Sequence, residues 1–138
     1  MTSLLVTGGA GFIGANFVHY WLGRHPGDRL VVLDALTYAG NLANLASLRD
    51  RPELVVVEGD IRTAGVAERL MREHGTTIVV HFAAESHVDR SIHGPDAFIS
   101  TNVQGTHELL KAARAVWLEG GGRNDVRFHH ISTDEVYG

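Results

Sequence analysis

Glycines 8, 11 and 14 fall in the string Thr7-Gly8-Gly9-Ala10-Gly11-Phe12-Ile13-Gly14, between an apolar pentapeptide and an amphipathic stretch. The spacing G-x-x-G-x-x-G suits a tight turn off a strand, close approach of backbone to a pyrophosphate, and tight packing of the helix that follows. Unpaired N–H groups at the start of that helix then face the anion. Asp34 comes 20 residues after Gly14. At the end of a second strand, an acidic side chain there accepts hydrogen bonds from both hydroxyls of an adenosine ribose. Its charge repels a 2′-phosphate, so the glycines and Asp34 together predict NAD in preference to NADP. Asp134 and Glu135 are neighbouring carboxyls just past the segment Arg127 to Ser132, read as a strand. Two carboxyls at the ligand edge of a sheet can supply two proton transfers.

Strands must deliver these residues to one edge, and the chain has the pattern for it. Apolar runs of strand length alternate with helix-length amphipathic segments, as in a parallel sheet covered by helices on both faces. Strands are expected at Ser3 to Thr7, Leu30 to Leu33, Leu54 to Glu58, Thr77 to Phe82 and Arg127 to Ser132. A helix from Phe12 to Arg24 is ended by Pro26-Gly27-Asp28. Leu42, Leu45 and Leu48 support a short helix from Asn41 to Leu48, and Val66, Leu70 and Met71 place one face of a Thr63 to His74 helix on the sheet. A polar loop is expected from strand four to Pro95. A long helix should start between Ala97 and Asn102 and run to Glu119, burying Val103, Leu109, Leu110, Ala113 and Val116 or Trp117. The fold class read from this order is α/β, a Rossmann-like doubly wound parallel sheet.

The chain has 138 residues, 44% of them hydrophobic and 20% charged, which suits one globular domain and excludes disorder and coiled coil. A net charge of −4 offers no basic face for a nucleic acid. Without cysteine there is no disulfide, thiol catalysis or cysteine-based zinc module, which suits a reducing, cytoplasmic setting. No basic leader and no apolar run of membrane length is present. Nine histidines invite a metal, but none sits in a ligating motif. His129 and His130 alternate across a strand and cannot chelate one ion. His81, inside strand four, reads as a core histidine with its hydrogen bonds satisfied. No metal site is expected.

The string TGGAGFIG resembles the extended short-chain dehydrogenase/reductase family, whose members mostly modify nucleotide sugars. Gly59-Asp60-Ile61 is similar to that family's adenine contact, with Asp60 accepting from the exocyclic amine. Phe82-Ala83-Ala84-Glu85-Ser86 is similar to the stretch beneath the phosphate and nicotinamide ribose, and Thr101-Asn102-Val103-Gln104-Gly105-Thr106 to the turn into the long central helix. Within the family, three strings resemble the dTDP-glucose 4,6-dehydratases: Asp34-Ala35-Leu36-Thr37-Tyr38-Ala39-Gly40-Asn41, Ala84 to Ser91, and His130-Ile131-Ser132-Thr133-Asp134-Glu135-Val136-Tyr137-Gly138. UDP-glucose 4,6-dehydratases carry a similar tail. In related 4-epimerases the Asp-Glu pair is replaced.

The resemblance implies NAD as cofactor, held by Gly8, Gly11, Phe12, Ile13, Gly14, Asp34, Ala35, Leu36, Thr37, Asp60, Ile61, Phe82, Ala83, Ala84, Glu85, Ser86 and Thr101. It implies dTDP-glucose or another nucleotide sugar as substrate, with Ser86 and Thr133 beside the sugar. Glu135 would be the base at C5, Asp134 the acid for the departing 6-hydroxyl, and Thr133 a donor to the C4 oxygen. The acid role requires Asp134 to be kept protonated by burial and by its charged neighbour. The family's proton relay also needs a tyrosine with a lysine four residues on. Tyr20, Tyr38 and Tyr137 have none at that offset, and Lys111 is the sole lysine. This implies an incomplete NAD-binding domain lacking the last strands and the substrate domain, binding NAD without turnover, from a homodimeric parent. The alternatives are a UDP-sugar dehydratase or epimerase of the same family, or a non-catalytic NAD-binding module.

Overall fold

The computed structural model describes residues 1–138. Five strands form one wholly parallel sheet: β1 Ser3–Thr7, β2 Arg29–Asp34, β3 Leu54–Glu58, β4 Ile78–His81 and β5 Arg127–His130, in the order β3-β2-β1-β4-β5. The order reverses direction at β1, which leaves a crevice outside its carboxyl end. Registered pairing aligns the last row of the sheet as Val57, Leu33, Thr7, His81 and His130.

Side chains alternate across a strand, so each strand feeds two cores. Leu4, Val6, Leu30, Val32 and Val80 pack on one face with Ala15, Val18 and Leu22 of α1 Phe12–Arg24 and with Leu45 of a 3₁₀ turn, Leu42–Leu48. Leu5, Val31, Leu33 and Val79 pack on the other with Leu70 and Met71 of α2 Val66–His74 and with Leu109, Ala113 and Trp117 of α5 Thr106–Trp117. Trp117 also donates its indole N–H to the Thr76 carbonyl at 2.7 Å, pinning the end of α5 beneath the sheet. The doubly wound α/β reading therefore holds. No helix is long and apolar enough to cross a membrane.

Two expectations fail locally. The segment expected to be loop contains α3 Val88–His93, and a single turn, α4 Pro95–Phe98, begins where that loop was expected to end. Neither buries a residue, so no core-facing stripe could announce them. The long helix is wound in π form over Ile99–Gly105 before α5. The wider winding rotates side chains relative to a 3.6-residue repeat. Val103 and Leu110, expected inside, are exposed, while Leu109, Ala112, Ala113 and Trp117 are buried.

Candidate functional site

The glycine turn is shaped by what lies against it. Gly8 has φ +69°, and a Cβ there would lie 2.7 Å from the Ala83 nitrogen and 2.9 Å from two further backbone atoms of Phe82 and Ala83. The turn after β1 and the loop after β4 thus touch backbone to backbone, which only glycine permits. A Cβ on Gly14 would run into the Gly8 carbonyl oxygen, so α1 starts directly on the turn. Ala15 N–H donates to the Gly11 carbonyl at 2.8 Å, while the helix has no side-chain cap. The amides of Phe12, Ile13 and Gly14 precede the first intrahelical bond and point out of the helix end. Phe12 and Ile13 are exposed there, an arrangement that suits an anion at the helix start.

Asp34 sits against the turn. Its carboxylate accepts from Ala10 N–H at 2.9 Å and from Leu36 N–H at 2.8 Å, and the residue is 8% exposed. It therefore holds the glycine turn as well as the chain that leaves β2. Leu36 takes a left-handed φ of 55°, the one non-glycine residue to do so. Ala35 and Thr37 are exposed beside it. After β3, Asp60 binds Arg62, accepting from its backbone N–H at 2.8 Å and from its guanidinium at 2.6 to 3.0 Å. Those bonds, foremost the side-chain ones, pull the Asp60 pKa below its ordinary value. Arg62 reaches on to the Ser100 hydroxyl at 2.9 Å. The carboxylate expected to meet adenine is thus already engaged. The Ile61 side chain is buried in the core.

After β4, Phe82 packs its ring on Phe17, 5.5 Å between centroids. Ala83 N–H donates to the Thr7 hydroxyl oxygen at 3.2 Å. Glu85 is held at both backbone polar groups by Asn102: its N–H donates to Oδ1 at 2.8 Å, and its carbonyl accepts from Nδ2 at 2.9 Å. Ala84 and Ser86 face solvent on this loop, and Thr101 is half-buried in the π turn. A cleft of about 600 Å³ opens between the two loops, lined by Thr37, Tyr38, Glu85, Arg90 and His93 among others. The Arg90 guanidinium lies 4.0 Å from the Tyr38 ring centroid and bridges it.

After β5, Thr133 caps a 3₁₀ turn, Asp134–Val136, its hydroxyl donating to Asp134 Oδ1 at 3.3 Å. Asp134 and Glu135 are both exposed. The burial that an acid role demands of Asp134 is not supplied by these 138 residues. β5 is two strands from β1 in the sheet, and the pair follows its carboxyl end in a 3₁₀ turn. The expected site residues after β1, β2, β4 and β5 lie in the segments that leave the carboxyl ends of these parallel strands.

The GDP-mannose 4,6 dehydratase family model matches residues 5–138. The chain belongs to that family. A dTDP-glucose 4,6-dehydratase of Xanthomonas campestris is 56% identical over 140 residues, covering 100% of this chain and 39% of the relative. One from Mycobacterium tuberculosis is 53% identical over 98% of this chain and 37% of its own length. The crystal structure of the Streptomyces venezuelae dTDP-glucose 4,6-dehydratase with NAD and TYD bound superposes with a TM-score of 0.87 at 52% identity, over 99% of this chain and 41% of that one. A UDP-glucose 4-epimerase from Thermotoga maritima gives 0.79 at 30% identity, over 96% and 38%. The chain thus spans about two fifths of the length of these relatives.

Asn102 and His81 are the residues whose importance to the site the sequence did not reveal. No role is expected of Asn102 from the sequence, and His81 is expected only as a core histidine with satisfied hydrogen bonds. Asn102 holds Glu85 from 17 residues away, and His81 meets Thr7 and Thr106, 74 and 25 residues away.

Proposed function

We propose that this chain is the NAD-binding part of a nucleotide-sugar 4,6-dehydratase acting on dTDP-glucose. The observation that carries the reading is the shared edge: a glycine cradle that a Cβ would fill, a buried carboxylate beside it, and the Thr133-Asp134-Glu135 turn on the same side of the sheet. The fit to NAD rests on the free amides of Phe12, Ile13 and Gly14 for the diphosphate and on Asp34, whose oxygens retain lone pairs for ribose hydroxyls. Gly8, Gly11 and the backbone of Ala35, Leu36 and Thr37 complete the adenosine side, and Phe82, Ala83, Ala84, Glu85, Ser86 and Thr101 the nicotinamide side. Asp60 and Ile61 would border the adenine, Asp60 mainly by holding Arg62.

Bound NAD would supply hydride acceptance from C4 of the sugar and return to C6. The chain's own residues would serve the elimination, while the proton of the C4 hydroxyl needs a base that these 138 residues do not supply. Thr133 and Ser86 donate to the sugar near the C4 oxygen. Once C4 is a ketone, the C5 proton lies alpha to a carbonyl and Glu135 can remove it. The electron pair forms the C5–C6 double bond as the 6-hydroxyl departs, taking a proton from Asp134 and leaving as water; Glu135 can then return its proton to C5 as C6 takes up hydride. The role of Asp134 requires cover from outside these 138 residues, consistent with the greater length of the relatives. The Asp134-Glu135 pair and the higher similarity to dehydratases favour elimination over epimerisation.

Conversion of dTDP-glucose by a protein carrying the additional length of the relatives tests the reading. A 4-keto-6-deoxy product is expected, and its loss in Glu135→Gln. A 4-epimer, or no reaction, would refute it. The 138-residue chain alone should give no product, since no tyrosine in it has the lysine partner.

A further inference from the structure

Beneath the cofactor edge lies a buried histidine that the proposed chemistry does not use. His81 ends β4, is 2% exposed, and sits in register between Thr7 of β1 and His130 of β5. Its Nδ1 lies 2.6 Å from the Thr7 hydroxyl oxygen and its Nε2 2.9 Å from that of Thr106. Proton counting fixes the tautomer. The single hydroxyl proton of Thr106 goes to the Asn102 carbonyl at 2.7 Å, because a carbonyl can only accept. Thr106 must therefore accept from His81, which puts the ring proton on Nε2. Nδ1 is then the acceptor of the Thr7 hydroxyl proton, and Thr7 in turn accepts from Ala83 N–H at 3.2 Å.

Followed outward, both arms of the ring end on the same loop. One arm runs through Thr7 to Ala83. The other runs through Thr106 to Asn102, whose side chain grips both backbone polar groups of Glu85. Thr7 also leads into Gly8, whose missing Cβ lets Ala83 close on the turn. We propose that His81, in its Nε2–H tautomer, is a positioning residue that sets the path of Ala83 to Glu85 along the sheet edge, acting through Thr7 on one side and through Thr106 and Asn102 on the other. Its consequence for NAD rests on the reading of that edge as the cofactor site. Burial, and secondarily the neighbouring His130 ring 5.4 Å away, keeps His81 neutral, with a pKa of about 4. Neutrality is what the hydrogen-bond pattern requires.

Imidazole nitrogen NMR of the wild-type chain near neutral pH gives the first test. It should show Nδ1 unprotonated and Nε2 carrying a slowly exchanging proton; an Nδ1–H ring or an imidazolium would overturn the proposal. The second test compares Thr106→Val, which keeps shape and removes the hydroxyl, with Thr106→Ser, which keeps the hydroxyl. Valine should speed amide exchange at Ala83 and Glu85 about tenfold and weaken NAD binding about tenfold, with serine restoring both, as expected of one lost hydrogen bond. Unchanged exchange in the valine variant, or no rescue by serine, would also overturn it. If the valine variant does not fold, the wild-type tautomer and the exchange rates of the serine variant decide. A wild-type chain that binds no NAD refutes the cofactor reading alone, because tautomer and amide exchange are measured without it.

Discussion

Replacing Asp34 by alanine tests whether this buried carboxylate is a structural clamp. The carboxylate accepts from two backbone amides, Ala10 at 2.9 Å and Leu36 at 2.8 Å, in a residue only 8% exposed. A hydrogen bond to a charged group contributes about 1.5 to 3 kcal/mol, so two suggest about 3 to 6 kcal/mol. The Leu36 bond is part-buried and water can replace some of it, which places the expected loss near the lower end, about 3 kcal/mol. Asp34→Asn keeps one acceptor oxygen and should lose about half as much. Urea unfolding without ligand, followed by the fluorescence of buried Trp117, measures both. If both variants lose less than about 1 kcal/mol, the carboxylate does not hold the glycine turn. In that case any effect of Asp34→Ala on NAD reflects the ribose contact alone.

Acid should destabilise the chain through His81, which is packed against Thr7 of β1, Thr106 of α5 and His130 of β5. Its pKa is about 4 when folded against 6.5 when unfolded, so the unfolded chain binds the extra proton. Stability is then complete above pH 6.5 and falls as pH drops toward 4, by about 1.4 kcal/mol per pH unit and about 3 kcal/mol in all. Urea midpoints that stay flat from pH 6.5 to 5, or that fall equally in His81→Gln, would contradict this. Gly8→Ala combines a φ of +69° with a Cβ 2.7 to 2.9 Å from three backbone atoms. Its cost should be about 3 kcal/mol, the sum of left-handed strain and overpacking, and a melting temperature matching wild type would refute that contact.

Much of the fold was legible because the strands are short apolar runs bounded by glycine, proline or charge. β1, β3 and α1 fall on the expected residues, since Ser3–Thr7 and Leu54–Glu58 carry no competing helical period and Pro26-Gly27 forbids extension of α1. What escaped had no apolar signature. The α3 helix buries nothing, Val103 is exposed within the π turn before α5, and Leu110 lies one position off the buried Leu109, Ala113 and Trp117 stripe. At the candidate site, the tight glycine turn and the place of Asp34 at the end of β2 were readable from spacing alone. The second function of Asp34, holding the turn, was not, because its partner Ala10 is 24 residues away. The engagement of Asp60 by Arg62, two residues on, was within reach of the sequence but was masked by the expected adenine contact. Exposure of Asp134 depends on what covers the end of β5, which no spacing in the chain encodes.

The central claim is that the carboxyl edge of this sheet is an NAD site that excludes a 2′-phosphate through Asp34. Titration calorimetry of the 138-residue chain with NAD and with NADP tests it most directly. The account predicts saturable binding of one NAD, with NADP weaker by about tenfold or more, equivalent to about 1.4 kcal/mol or more. Equal affinities, or no saturable NAD binding by the folded chain, would contradict it.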